Sequence, residues 1–145
     1  MDSSDSVRHR LQASFDRQSL MRTFEARLVV AEPGNVVIEA PIVPGARQQH
    51  GFAHAGLTFS LGDSAAGYAA FSLLPEGAEV LTAEAKINLL APAQGDLLRA
   101  TGRVIKAGRR LMVVAADVHA VKDGKDTLVA VLTATIVPLL SDPES

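Results

Sequence analysis

No cysteine occurs among the 145 residues, which excludes disulfides, thiolate metal sites, iron-sulfur ligation and a cysteine nucleophile, and fits a reducing compartment such as the cytoplasm. Charge of one sign is lacking too. Fourteen basic residues against sixteen acidic leave a net charge of -2, so no overall field would hold a nucleic-acid backbone or an anionic membrane, and neither is expected as a partner. The N-terminal stretch carries Asp2, Asp5, Arg8 and Arg10 and lacks the apolar core of a secretory signal. No repeat, linker or low-complexity tract divides the chain. Uninterrupted apolar runs are missing as well: the most apolar stretch, Ala53 to Leu74, is broken by His54, Asp63, Ser64 and three glycines. A carboxylate at a bilayer centre would cost about 2.5 to 3.5 kcal/mol, so a buried helix explains that stretch better than a membrane span.

What is present suits a folded chain. Hydrophobic residues make up 48% and charged ones 21%, at a mean hydropathy of +0.19. That is enough for a single domain over 1–145, with loose ends at 1–4 and 140–145. Val7, Leu11 and Phe15 recur at spacing four, with Ser4 or Asp5 as a cap, and predict an amphipathic helix near 5–17. From Thr23 the period changes to two: Phe24, Ala26, Leu28 and Val30 alternate with Thr23, Glu25 and Arg27. The turn Glu32-Pro33-Gly34-Asn35 then leads into a second strand, Val36 to Val43. Pro44-Gly45 opens a polar loop to Ala53, where the long apolar helix begins, and Pro75, Glu76 and Gly77 stop it.

Four more strands are expected: Thr82 to Leu89, Leu97 to Lys106, Met112 to Ala120 and Leu128 to Val137. The last three form a meander turned at Ala107-Gly108 and Asp123-Gly124. The class is α+β. A helix apolar on all sides must be covered on all sides, so about six antiparallel strands should curl around it and make it the core.

Asp63 is the only charged residue from Ala53 to Leu74. It either lies on a wetted stripe with Ser60 and Gly67, or serves as a general base or nucleophile in a cleft that tunes its pKa. His50, Gly51, His54 and Gly56 lead into the same helix, where the backbone N–H groups of Ala55 and Gly56 are suited to an oxyanion hole. Two histidines four apart suggest zinc, but no third ligand lies nearby and no metal is expected. Lys106, Arg109 and Arg110 around Gly108 make a basic turn, suited to phosphates or to solvent. Thr82, Glu84, Lys86 and Asn88 read as the exposed face of a strand.

The segment Gln48 to Ala66, with His54-Ala55-Gly56 followed by Asp63 seven residues after the glycine, resembles the signature of hotdog-fold thioesterases, in particular the phenylacetate-degradation (PaaI-like) branch. The resemblance continues through Thr82 to Pro92 and Gly108-Arg109. It implies a hotdog fold and hydrolysis of aryl- or medium-chain acyl-CoA to free acid and coenzyme A, with coenzyme A as part of the substrate and no separate cofactor. By the same resemblance Asp63 activates water or attacks the carbonyl, Ala55 or Gly56 polarises it, and Thr82 holds the water. Gln48 stands where asparagine is usual. Ala55 replaces the first glycine of His-Gly-Gly, keeping the N–H while its methyl crowds the thioester and disfavours positive φ. The family pattern also implies a homodimer or homotetramer, each site at an interface where loop residues of one chain face the Asp of the other.

His50, Gly51, His54, Leu57, Phe59 and Tyr68 are then candidates for substrate contact, and Lys106, Gly108, Arg109 and Arg110 for contact with coenzyme A. Two alternatives remain open on the sequence: an acyl-CoA-binding protein without turnover, and a hydratase or dehydratase acting on acyl carriers, which would need a His paired with a carboxylate.

Overall fold

The computed structural model describes residues 3–140, so of the expected loose ends at 1–4 and 140–145, residues 1–2 and 141–145 lie outside the described residues, while residues 3 and 4, expected loose, already belong to the first helix. Helix α1 (Ser3–Asp16) and a short α2 (Ser19–Thr23) precede the hairpin β1 (Arg27–Glu32) and β2 (Asn35–Pro41). A 3-10 turn, Pro44–Ala46, opens the loop to the long helix α3 (Ala55–Phe71). Strands β3 (Glu79–Leu89), β4 (Leu97–Ala107), β5 (Met112–Lys122) and β6 (Lys125–Leu139) follow. All six strands form one antiparallel sheet in the order β1-β2-β4-β5-β6-β3. The sheet curves around α3 without closing, which is the hotdog arrangement. No described helix is long and apolar enough to cross a membrane.

Helix α3 explains the curvature. Eleven of its 17 residues are buried, and they meet side chains from the inner face of the sheet, such as Ile38, Leu98, Val118 and Leu132. The closest approach is at Gly102 in β4. A Cβ there would stand 2.2 Å from the Ala65 carbonyl oxygen and 2.6 Å from the Ala66 nitrogen, so the helix backbone rests on the strand with no room for a side chain between them. The C-terminal end of α3 is tied to the β1–β2 turn through Ser72, whose Oγ accepts from the Gly34 N–H at 2.7 Å and donates to the Ala69 carbonyl at 2.6 Å.

The expected alternation from Thr23 begins later in the molecule. Residues 19–23 are helical instead: Met21 is buried, the Ala26 N–H donates to the Met21 carbonyl at 2.8 Å, and Glu25 turns the chain at φ +55°. A helical turn followed by a strand mimicked a single run of period two. Within β1 a register shift between Leu28 and Val30 puts Ala31, rather than Val30, on the core side with Leu28. The meander β4-β5-β6 forms as expected.

The two sheet edges are treated differently. Along β1, Arg8 of α1 donates to the carbonyls of Leu28 at 3.1 Å and Val29 at 3.3 Å, which satisfies part of the open edge. Strand β3 is eleven residues long, has no neighbour beyond it among the described residues, and exposes Leu81 and Leu89 by more than half.

Because the helix backbone occupies the space beside Gly102, Gly102→Ala should lower stability by about 1–3 kcal/mol, the range for overpacking. Urea denaturation would show this as a lower midpoint at unchanged m value.

Candidate active site

The loop before α3 is held at many points. Arg47 donates to the Gly51 carbonyl at 2.8 Å and the Ile42 carbonyl at 2.7 Å. The turn from Gln48 to Phe52 is closed by bonds from the Gln48 N–H to the Phe52 carbonyl and from the Gly51 N–H to the Gln48 carbonyl, each 2.9 Å. Gly51 adopts φ +89° there. The Gln48 side-chain oxygen accepts from the His50 N–H, which leaves the side-chain nitrogen of Gln48 as its free donor. At the far end of the loop, the Ala53 N–H donates to the Ala93 carbonyl and the His54 N–H to the Ala46 carbonyl.

His54 is the N-cap of α3: its Nδ1 accepts from the Gly56 N–H at 2.8 Å. An imidazole that accepts at Nδ1 carries its proton on Nε2. The bond occupies the Gly56 N–H, while among the described residues no acceptor meets the Ala55 N–H. Ala55 is the first helical residue and is not in the positive-φ region. A Cβ at position 56 would press on His54 Nδ1 at 3.0 Å, so the glycine lets the cap close without a shift of the His54 ring. Gln48, His54, Ala55 and Thr58 line a cavity of about 640 Å³ with Leu89 and Leu90 from the end of β3.

Asp63 lies two turns further along α3, half-buried, and accepts at Oδ1 from Thr82 Oγ1 at 2.9 Å. That contact depends on an irregularity in β3. Thr82 pairs with Ile136 and Glu84 with the next residue, Thr135, so Ala83 is a bulge. The bulge shifts the phase of the strand and turns Thr82 to the helix side, with Ala85 and Ile87, while Glu84, Lys86 and Asn88 keep to the outer face. Thr82 is exposed, as expected of the whole stripe, but on the helix side rather than on the outer face with Glu84, Lys86 and Asn88. A smaller cavity of about 240 Å³ lies beside the carboxylate, between α3, α1 and the start of β3, lined among others by Ser14, Gln18, Gly67, Tyr68 and Thr82.

The other candidates fall in several places. Tyr68 is buried, with its hydroxyl bonded to Ser14 Oγ at 3.1 Å and accepting from Gln18 Nε2 at 2.9 Å. Ser14 and Gln18 carried no signal in the sequence beyond their spacing of four, and the helix end between them hides even that. Leu57 is 1% exposed and packs in the core. Phe59 is exposed on the Asp63 face, and His50 is exposed in the loop. Lys106, Gly108, Arg109 and Arg110 lie in and beside the β4–β5 turn. Met112 pairs with Ile136 and Ile136 with Thr82, so that turn is at the Thr82 end of the sheet. Within the chain, therefore, Asp63 and Thr82 come together, as do Gln48, His54 and Ala55. The two groups do not meet. From Ala55 to Asp63 is eight residues of helix, about 12 Å along its axis.

Against this geometry the comparisons are specific. A family model described as the thioesterase superfamily matches residues 50–127, more than half of the 145-residue chain. The chain belongs to the thioesterase superfamily. It is a thioester hydrolase. A thioesterase family protein from Silicibacter pomeroyi is 44% identical, with 90% of this chain and 96% of that one covered and a TM-score of 0.88. A conserved protein from Pseudomonas aeruginosa is 30% identical over 84% of this thioesterase and 94% of its own chain, at a TM-score of 0.76. The PaaI protein of the E. coli phenylacetic acid degradation operon covers 94% of this thioesterase and 95% of its own chain at a TM-score of 0.83 and 22% identity, a likeness of fold. No curated protein matches.

The cap can be tested apart from catalysis. His54→Ala should destabilise the thioesterase by about 0.5–2 kcal/mol, and His54→Asn, a good N-cap, should recover most of that loss. Thermal unfolding of the two variants beside the wild type reads the difference.

Proposed function

We propose that this thioesterase hydrolyses acyl-CoA esters of compact, aryl-sized acids in a two-fold dimer, each active site joining Ala55 and Gln48 of one chain to Asp63 and Thr82 of the other. The observation that carries this reading is the separation along α3. A tetrahedral intermediate needs oxyanion donors and a base within hydrogen-bond reach of one carbonyl, and about 12 Å of helix divides them within one chain. The two cavities lie at opposite ends of β3, one against Leu89 and Leu90, the other against Glu79, Val80 and Thr82. Antiparallel pairing of two free β3 edges about a two-fold axis sets the end of one strand beside the start of the other. The open, leucine-bearing edge supports such pairing.

In that arrangement a water lies against Asp63, whose carboxylate is oriented by Thr82. As the water oxygen bonds to the thioester carbon, its proton passes to Asp63, and the carbonyl oxygen gains negative charge opposite the Ala55 N–H and the Gln48 amide nitrogen. The helix N-terminus favours that charge. Collapse of the intermediate breaks the carbon–sulfur bond, and the leaving thiolate takes the proton from Asp63, giving free acid and coenzyme A. Coenzyme A enters only as part of the substrate, so the reaction needs no resident cofactor. Lys106, Arg109 and Arg110 sit at the Thr82 end of the sheet, on the side of the site where its phosphates would emerge, and Gly108 keeps their turn tight. The cysteine-free sequence suits work in the cytoplasm. A cavity of about 150 Å³ takes up benzene, so the 240 Å³ beside Asp63 has room for an aryl ring and a short linker.

The hydratase alternative needs a histidine paired with a carboxylate. Here His54 Nδ1 bonds to the Gly56 N–H and Asp63 to Thr82, which argues for hydrolysis.

Asp63→Asn should cost on the order of 10²-fold or more in kcat on phenylacetyl-CoA, read as thiol release. Ala55→Pro removes the oxyanion N–H at the helix position where proline is best tolerated and should cost about 10²- to 10³-fold. Unfolded and refolded together in equal amounts, these two inactive variants should regain about a quarter of wild-type activity, since half of the dimers are mixed and each has one intact site. No recovery from a dimeric mixture would overturn the shared site.

A further inference from the structure

We propose that Gly67 sets the size of the acyl group this thioesterase accepts, by leaving empty the space that a side chain at that position would fill. The proposal rests on the acyl-thioester reading above. Gly67 follows Asp63 by four residues and lies on the same face of α3. It is buried, yet a Cβ built on it would meet nothing within 4 Å. The combination calls for an explanation. A glycine in mid-helix is less stable than alanine because it has more backbone freedom to lose, and a buried void forgoes the contacts a methyl would make. The other mid-helix glycine has a packing neighbourhood: at Gly62 a Cβ would already touch Leu132 and Val118 at 3.5 Å. No such neighbour accounts for Gly67.

What lies beside Gly67 is the cavity of about 240 Å³ that also holds Asp63 and Thr82. Cα–Cβ bonds of a helix tilt toward its N-terminus, so a side chain at 67 would lean toward Asp63, into the volume next to the reacting carbonyl. The rest of the wall is fixed. The Tyr68 hydroxyl is held by Ser14 and Gln18, and its ring meets Phe71 edge-on with centroids 6.1 Å apart. The Arg10 guanidinium covers the Phe71 ring at 4.8 Å. With those side chains pinned, the missing one at 67 is what gives the acyl group its room.

The test is a selectivity measurement on Gly67→Ala and Gly67→Leu. Thiol release would be followed from acetyl-, butanoyl-, octanoyl- and phenylacetyl-CoA, with thermal unfolding and oligomeric state recorded beside it. The expected result is a fall in the ratio of kcat/KM for phenylacetyl-CoA over acetyl-CoA, about tenfold for alanine and more for leucine, as one or more methylenes change the fit of an apolar pocket. Loss in equal proportion on all esters, or an unchanged ratio in both variants, would overturn the proposal and leave Gly67 a structural residue of α3 or of the dimer. Wild type that releases thiol from none of the esters would instead sink the hydrolytic reading. Gly67 is then judged by calorimetric binding of phenylacetyl-CoA to Asp63→Asn with and without Gly67→Leu: a loss of affinity with leucine supports the proposal, and equal affinity overturns it.

Discussion

Helix α3 is apolar nearly all the way round, and a helix of that kind has no stable place except inside other structure. Strands β2 to β6 pack against it, with contact close enough at Gly102 that backbone meets backbone. Covering so much of the helix restricts where chemistry can happen. Only its N-terminal end, where His54, Ala55 and Gly56 are exposed, and the face carrying Asp63 and Gly67 are left for polar work. An ionised carboxylate elsewhere on α3 would be desolvated among alanines and leucines without a partner. The two surviving places lie apart on one rigid rod, so a second copy of the rod, running the other way, is the simplest means of bringing both to one carbonyl.

In the proposed dimer the sheet would supply that second copy with a place to attach. One edge, β1, is partly covered by α1 and the Arg8 guanidinium, and the other, β3, is left long with exposed leucines. Soluble proteins blunt open edges with charge, bulges or covering elements, and β3 does have a bulge. It lies at Ala83, near the start of the strand, and leaves the regular stretch from Glu84 to Leu89 available for pairing. The same bulge aims Thr82 at Asp63. A single extra residue therefore orients the Asp63 carboxylate while the rest of the strand keeps its ladder.

Period and punctuation made much of this legible before any coordinates. The helix around Asp63, the β1–β2 turn and the β4-β5-β6 meander follow from apolar spacing and from Pro, Gly and Asp-Gly signals. Two features were hidden for one reason. A bulge advances the phase of a strand by one residue without changing its composition, so Thr82 read as outward-facing with Glu84. Residues 19–26 likewise place a helical turn before a strand in a way that counts as alternation. Arg47 was silent too, because a side chain that binds backbone carbonyls has no partner residue whose spacing could betray it. The resemblance to hotdog thioesterases supplied what periodicity could not: a reason to connect Thr82 with Asp63.

The alanine at position 55 shows how local geometry decides what a sequence departure means. A glycine is required where φ is positive or where a Cβ would collide. Position 55 is the first residue of a helix, outside the positive-φ region, so the methyl of Ala55 imposes no backbone strain and the N–H stays where it is needed. Position 56 is different, since a Cβ there would press on the His54 ring that caps the helix. The cap in turn occupies the Gly56 N–H, leaving Ala55 as the single unengaged backbone donor at this end of α3. A polarised carbonyl oxygen has lone pairs for two donors. Gln48, whose own oxygen is tied to the His50 N–H, presents its amide nitrogen as the second. The longer side chain at 48 and the extra methyl at 55 are thus compatible with the two-donor oxyanion site proposed above.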